Sequence, residues 1–125
     1  MKKIKCLVHT QHFVHPLDTD FTSTYIMTSD GAGLVRATPD MDEWNQFKND
    51  VLISDLFVVE SRRHQHIATT LLKKAEEVYA GQNKTFWLKL SVHNPLPYLH
   101  DFYLKMGYVD SEKYNDFIYM TKHIN

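Results

Sequence analysis

The sequence predicts an α/β (α+β) fold with a mixed, mostly antiparallel sheet, and three observations support this prediction. The strongest apolar run, Val51 to Val59, is rich in β-branched residues and is followed by apolar residues at helical spacing. A strand and a helix then follow once more, which implies a crossover helix and one parallel strand pair flanked by helices. An Asp-Gly turn at Asp30 and Gly31 joins two short apolar segments, which is typical of a hairpin.

The first half of the chain is predicted to contain short strands. The alternating residues Lys3 to His9 predict a first strand, and residues 10–22 are predicted to be irregular. Thr24 to Met27 and Gly33 to Ala37 form the predicted hairpin. Residues 38–50 are polar and predict a loop with one turn of helix inside it.

The second half alternates strands and helices. After the strand Val51 to Val59, apolar residues recur at helical spacing over residues 64–80. Gly81 follows at the position where a left-handed residue ends many helices. The rest of the chain predicts a strand, an amphipathic helix and a final strand pair, over Phe86–Val92, residues 95–106, Tyr108–Val109 and Phe117–Thr121.

Composition sets limits on the class of protein. The chain has 125 residues, which predicts a single domain over residues 1–125. Its formal net charge of −1 argues against nucleic acid or an anionic membrane surface as a partner. No stretch is long and apolar enough for a signal peptide or a membrane span, so a cytoplasmic protein is expected. Cys6 is the single cysteine and excludes an intramolecular disulfide.

The eight histidines do not predict a metal site. His9, His12 and His15 are spaced by three residues, and His64 and His66 by two. Zinc sites usually need four ligands, often with cysteines in close pairs, and this chain has no such pair. No metal cofactor is therefore expected.

The junction between the strand at 51–59 and the following helix is the first candidate for chemistry. The first N–H groups of a helix have no intrahelical acceptor, and the helix dipole is positive there, so an anion is bound favourably. Arg62 and Arg63 precede this helix and add positive charge. Every strand–helix junction has this shape, so arginines that are only solvated remain the alternative.

Two segments resemble the GNAT superfamily of acyl-CoA N-acyltransferases. Asp55-Leu56-Phe57-Val58, followed by Arg63-His64-Gln65-His66-Ile67-Ala68 and Leu71-Leu72, is similar to the family's strand–loop–helix signature. Phe102 to Tyr108 resembles its aromatic-Tyr-x-Lys-x-Gly-aromatic segment. The start of the first segment looks like the aminoglycoside and polyamine branches. The resemblance covers about residues 22–122, with the elements in the family's order.

The resemblance implies acetyl-CoA as cosubstrate, bound where a bulge splays two parallel strands apart. The backbone of Leu56, Phe57 and Val58 would bind the pantetheine arm, and the Val58 N–H would lie near the thioester carbonyl. Asn94 is carried over as a further contact, although it lies two residues further from Tyr103 than the family spacing. The diphosphate would bind the loop and first helical turn that contain Arg63, His64, Gln65, His66, Ile67, Ala68 and Thr69.

The resemblance also suggests residues for catalysis. Tyr103 matches the family tyrosine that protonates the departing thiolate, and a core aromatic at helical spacing is the alternative. Asp55 lies on the motif strand, where a polar residue is costly unless it has a partner or a function. It is predicted to bind the cationic amine or to accept its proton, directly or through water. The alternatives are a carboxylate bound to nearby backbone, or Glu60 or His93 as the base.

The expected reaction is direct attack of a primary amine on acetyl-CoA in a ternary complex, without a metal. His66 stands where the family usually has a glycine, and the N-terminal helical region is shortened, so the wall of the acceptor site is missing, shortened or supplied by another subunit. The acceptor is therefore left as a small-molecule or protein amine, and the missing wall suggests a homodimer. The alternative is an inactive GNAT-fold module that binds CoA or a protein.

Overall fold

The computed structural model describes residues 4–13, 21–39, 50–94, 96 and 98–125. Within these residues, seven strands form one sheet in the order β1-β2-β3-β4-β5-β7-β6, in which only β4 and β5 are parallel neighbours. The predicted α/β (α+β) class with a mostly antiparallel sheet is confirmed. The strands are Cys6–Phe13, Phe21–Thr28, Gly33–Pro39, Asp50–Val58, Lys84–Ser91, Val109–Lys113 and Phe117–Ile124, and the helices are α1, Ile67–Val78, and α2, Tyr98–Lys105.

The prediction of irregular backbone over residues 10–22 is wrong at both ends. Strand β1 continues to Phe13 and β2 begins at Phe21, because pairs such as Thr10 with Thr24 extend the ladder. Cross-strand pairing adds hydrogen bonds that local propensity does not report. His15, residues 14–20 and most of the loop predicted at 38–50 lie outside the described residues.

Both helices are shorter at their start than predicted. Helix α1 begins at Ile67 rather than near residue 64, because His64 and His66 have left-handed backbone, with φ of 64° and 61°. Two residues in this conformation cannot belong to a right-handed helix. Helix α2 begins at Tyr98. Gly81, which follows α1, has a φ of 82°, so it has the left-handed backbone predicted for the residue that ends this helix.

The core lies between the helices and one face of the sheet. Helix α1 buries Ile67, Leu71, Leu72 and Ala75, which share one helical face. Gly33 of β3 lies beneath this face, and a Cβ placed there would be 2.9 Å from Leu71 Cδ1. The sheet side of the core includes Ile26, Val35, Val51, Phe86, Leu88 and Met120.

Strands β4 and β5 separate after a short parallel ladder. Only Asp50 to Leu52 pair with Thr85 to Trp87. On its other side, β4 has a bulge, because Ser54 pairs with Arg36 whereas Phe57 already pairs with Leu34. An extra residue of this kind bends the strand that carries it. The carboxyl half of β4 therefore leaves β5, and a gap opens between them.

Candidate active site

A cavity of about 490 Å³ opens at the carboxyl end of β4. It lies between the last residues of this strand, the loop and first turn of α1, and the exposed side of α2. Its wall contains Leu56, Phe57, Val58, Arg62, Arg63, His64, His66, Ile67, Ala68, Thr69, Leu96, Tyr98, Leu99, Phe102 and Lys105.

The N-terminus of α1 presents free donors to this cavity. His66 is the N-cap residue of the helix, and its side chain makes no capping hydrogen bond. The backbone N–H groups of Ile67, Ala68 and Thr69 belong to the first turn, where no intrahelical acceptor exists. All three residues line the cavity. Their N–H groups and the helix dipole make this end of the cavity favourable for an anion.

Two arginines hold the loop in place before the helix begins. The guanidinium of Arg62 donates to Asp30 Oδ2 at 2.8 Å and to Gln65 Oε1 at 2.9 Å. Its hydrogen bond holds the pKa of Asp30 at about 2, below the ordinary value. Arg63 Nε donates to the carbonyl of Val58 at 3.1 Å, which fixes the loop against the end of β4. Across the cavity, Lys105 adds a further cation from α2.

The N–H group of Val58 points into the gap between β4 and β5. The neighbouring Val59 N–H donates to the carbonyl of Ala32 at 2.8 Å, on the side of β3. Successive N–H groups of an extended chain point in opposite directions, so the Val58 N–H points away from β3. Because the parallel ladder with β5 ends at Leu52, this donor is left for a ligand in the gap.

The remaining wall of the cavity is apolar. Leu56 and Phe57 of β4 face Leu99 and Phe102 of α2, and Phe57 is 54% exposed. An elongated apolar or amphipathic group that enters the gap would cover this surface. The cavity thus joins an apolar slot to an anion-binding end.

The sequence predicted most of this wall but not all of it. Nine predicted residues lie on it, namely Leu56, Phe57, Val58, Arg63, His64, His66, Ile67, Ala68 and Thr69. Gln65 does not line this cavity; it accepts from Arg62 and lines a second cavity on the far side of the loop. Asn94 does not line it either, and its Oδ1 accepts from the Leu96 N–H at 2.8 Å, in a local turn.

Tyr103 lies inside the core rather than on the cavity wall. It is 7% exposed, and its ring packs at 5.2 Å from the Phe102 ring and at 5.9 Å from the Tyr108 ring. Burial raises the pKa of Tyr103 to about 12. Its phenol is therefore neutral at physiological pH and retains the proton that a general acid must donate.

Asp55 lies on the motif strand β4 as expected, but its side chain is exposed, so the premise that a polar residue is buried there is wrong. It occupies the bulge of β4 with a φ of 57°, and its side chain is 61% exposed. The bulge turns this residue out of the regular alternation, which is why the strand pattern did not reveal its exposure. Its Oδ2 lies 3.9 Å from the Arg36 guanidinium.

Sequence reasoning missed the wall contributed by α2. The sequence predicts an amphipathic helix over residues 95–106, and the helical spacing of Leu99 and Phe102 is also that of core residues, so it does not indicate a cavity wall. In the structure, both are only partly buried and also line the cavity. Lys105 was read only as part of the resemblance. Its position one turn after Phe102 was the available signal, because helical residues three apart share a face.

The described residues contain no candidate metal centre and no membrane-spanning helix. Among them, no group of three or more His, Cys, Asp or Glu residues could hold a metal ion. No helix within the described ranges has the length and apolar character needed to cross a membrane.

A protein-family profile matches most of this chain. Residues 8–108 match the profile of the acetyltransferase (GNAT) family, and this match covers most of the chain. The chain belongs to this family. The GNAT resemblance read from the two motifs is confirmed, and the protein is an acetyltransferase. No curated protein sequence matches it significantly.

Solved structures of GNAT acetyltransferases have the same fold. NAA60 of Arabidopsis thaliana, in complex with a bisubstrate analogue, is 22% identical with a TM-score of 0.61, over 86% of this chain and 77% of that one. The PaiA N-acetyltransferase of Thermoplasma acidophilum, with coenzyme A, is 19% identical with a TM-score of 0.65, over 81% and 60%. An aminoglycoside 6'-N-acetyltransferase with coenzyme A is 19% identical with a TM-score of 0.62, over 82% and 73%.

Proposed function

We propose that this GNAT acetyltransferase transfers the acetyl group of acetyl-CoA to a primary amine by direct attack in a ternary complex. One observation carries the proposal: a single cavity joins the uncapped N-terminus of α1 to the gap beside Val58. A diphosphate fits the N-terminus of α1, and a thioester fits the gap beside Val58. Coenzyme A in two of the solved relatives supports this choice of donor.

The donor side of the site uses mainly backbone groups. The N–H groups of Ile67, Ala68 and Thr69 would bind the diphosphate, with Arg63 and Lys105 nearby to balance its charge. Leu56 and Phe57 would contact the pantetheine arm along the apolar slot. Acetyl-CoA supplies the activated acetyl group, and the protein holds it between β4 and β5.

The transfer step requires three groups of the protein. The Val58 N–H donates to the thioester oxygen, which gains negative charge as the amine attacks. The nitrogen–carbon bond forms and the carbon–sulfur bond breaks. Tyr103 gives its proton to the departing sulfur, and the proton that the nitrogen loses as the amide forms restores the phenol. Before the attack, Asp55 takes the proton of the ammonium substrate, directly or through water, because only the neutral amine can attack. Because Tyr103 is buried, this step requires the sulfur to lie deeper between β4 and β5 than the cavity reaches.

The acceptor in this proposal is a primary amine of a small molecule or of a protein. Only residues 14–20 connect β1 to β2, which leaves little chain for an acceptor wall on that side. We therefore propose that a second copy of the chain contributes to the acceptor site.

Calorimetry with coenzyme A, followed by turnover of acetyl-CoA with a panel of amines, tests the proposal. Coenzyme A is expected to bind, and Tyr103→Phe is expected to bind it equally well while kcat falls by roughly tenfold or more. Tyr114→Phe is the matched control, because Tyr114 is half exposed in the turn before β7 and should leave kcat unchanged. Binding without turnover of any amine would instead support the inactive module. Absence of binding would reject the donor site.

A further inference from the structure

The two edges of the sheet differ in a way that bears on assembly. The edge strand β6 has only five residues, and three of them, Asp110, Glu112 and Lys113, are charged. Its register with β7 also shifts between Asp110 and Glu112. Short, charged and bulged edge strands prevent a sheet from pairing with another sheet. The β6 edge is therefore protected.

The β1 edge has none of these protections. Its eight residues, CLVHTQHF, include no Asp, Glu, Lys, Arg, Pro or Gly. It pairs with β2 in unbroken register from Cys6 to Phe13. Leu7 and Val8 are 56% and 48% exposed, and they lie on opposite faces of the sheet. In the part of the chain that the structure describes, no strand pairs with the outer side of β1.

The backbone of β1 offers a regular row of hydrogen-bonding groups on this outer side. The carbonyl of Lys5 accepts from the Ser29 N–H at 2.8 Å, so the peptide groups of Lys5 face β2. Residues of a strand alternate in direction, which turns every second residue outward. The N–H and C=O groups of Cys6, Val8 and Thr10 therefore face away from β2.

We propose that a second copy of this chain pairs with this edge, β1 against β1 and antiparallel, to join two seven-stranded sheets into one. Antiparallel pairing of a strand with itself obeys a twofold axis, so each copy offers the same surface to the other. A strand without charged residues brings no like charges together across that axis. The pairing also covers the exposed side chain of Val8.

The oligomeric state of the full chain in solution tests this inference. Sedimentation equilibrium from about 1 to about 200 μM should show a dimer of the native protein. Thr10→Pro should be monomeric, because it removes an outward N–H and leaves the backbone hydrogen bonds to β2 intact, although the 3.5 Å contact between the Thr10 and Thr24 hydroxyls is lost. Val8→Lys should also be monomeric, because it places two cations near the axis.

Val109→Lys provides the matched control, since Val109 is 59% exposed on the opposite, protected edge. It should leave the dimer unchanged. A native protein that stays monomeric overturns the inference, as does a dimer that survives Val8→Lys. If Thr10→Pro fails to fold, the comparison of the two lysine variants decides. Coenzyme A binding is measured separately on each variant, so failure of the donor site and failure of this interface are distinguished.

Discussion

The ammonium of Lys122 lies 2.8 Å from Oε1 of Glu76 and thereby ties β7 to helix α1. The same ammonium donates to the carbonyl of Met106 at 2.7 Å, just after α2, and the hydroxyl of Tyr108 donates to Glu76 Oε2 at 3.2 Å. The side chains of Lys122 and Glu76 are only 26% and 12% exposed. One ion pair thus connects both helices to the sheet behind the cavity.

Replacement of this lysine should cost much of the stability of the fold. Lys122→Met leaves the Glu76 carboxylate largely buried without its cation, which is expected to lower the free energy of unfolding by about 2 to 3 kcal/mol. Lys74→Met is the control, because the Lys74–Glu77 pair at 3.4 Å is exposed and should contribute less than about 0.5 kcal/mol. Urea unfolding of both variants is the measurement. Equal losses would show that the Glu76 pair is no stronger than a surface pair.

A second prediction concerns His66, the left-handed N-cap of α1. A non-glycine residue in this conformation costs about 1 to 2 kcal/mol, and glycine recovers this at the cost of some entropy of the unfolded chain. His66→Gly should therefore raise the free energy of unfolding by about 0.5 to 1 kcal/mol.

A histidine-to-glycine substitution inside a helix should instead lower the free energy of unfolding. His100→Gly, within α2, is expected to lower the free energy of unfolding by at least about 1 kcal/mol, because glycine is a poor helix former and the 2.8 Å hydrogen bond of His100 to Asp110 is lost. Thermal unfolding of the two variants makes the comparison. A loss of stability in His66→Gly would mean that the imidazole makes contacts that outweigh the backbone strain.

Local sequence patterns were sufficient to predict those helices and strands that bury one face. The spacing of Ile67, Leu71, Leu72 and Ala75 predicted α1, and these residues are buried. The ends of β1 and β2 were not predicted, because residues such as Thr10 and Thr22 become strand only through their pairing across the sheet. Their partners across the sheet, Thr24 and His12, lie 14 and 10 positions away in sequence.

The candidate site was likewise predictable only where it is formed by residues contiguous in sequence. The stretch from Leu56 to Thr69 could be predicted, because strand, loop and helix start are contiguous and carry a motif. The exposure of Asp55 could not be predicted from the sequence, because it follows from a bulge that exists only in the pairing of β4 with β3. The burial of Tyr103 was anticipated only as the alternative to its catalytic role, because a helical stripe does not show which of its aromatics reaches the cavity.

The third prediction concerns the pH dependence of stability at Asp30. The Arg62 hydrogen bond lowers the pKa of Asp30 from 3.8 to about 2 in the fold. A carboxyl group with a lowered pKa stabilises the fold above its unfolded pKa, and this contribution is lost as pH falls through the folded value. The stability difference between native protein and Asp30→Asn should therefore be full above about pH 4 and shrink towards about pH 2.

Urea unfolding across this pH range measures the difference directly. Arg62→Gln should weaken the same pH dependence, because the guanidinium is the largest cause of the lowered pKa of Asp30. The hydrogen bonds from Thr28 and from the Ala32 N–H remain in this variant, so only the double variant should lose the dependence completely. A stability difference that stays constant from neutral to acidic pH would contradict the role of this pair.

The fourth prediction separates the chemical role of Asp55 from its backbone role. Asp55→Asn removes the negative charge but keeps a residue that tolerates left-handed backbone, so the bulge should persist. If the carboxylate accepts the proton of the amine, kcat should fall by roughly a hundredfold while the Kd of coenzyme A stays the same. Asp101→Asn, an exposed aspartate of α2, serves as the control and should leave both unchanged.

Asp55→Ala completes this comparison, because alanine lacks the carboxylate and also disfavours a φ of 57°. It should lose activity like Asp55→Asn and, in addition, about 1 kcal/mol of unfolding free energy. Full activity of Asp55→Asn would remove Asp55 as the base. Loss of coenzyme A affinity in Asp55→Ala alone would then assign this residue the task of keeping β4 bent away from β5.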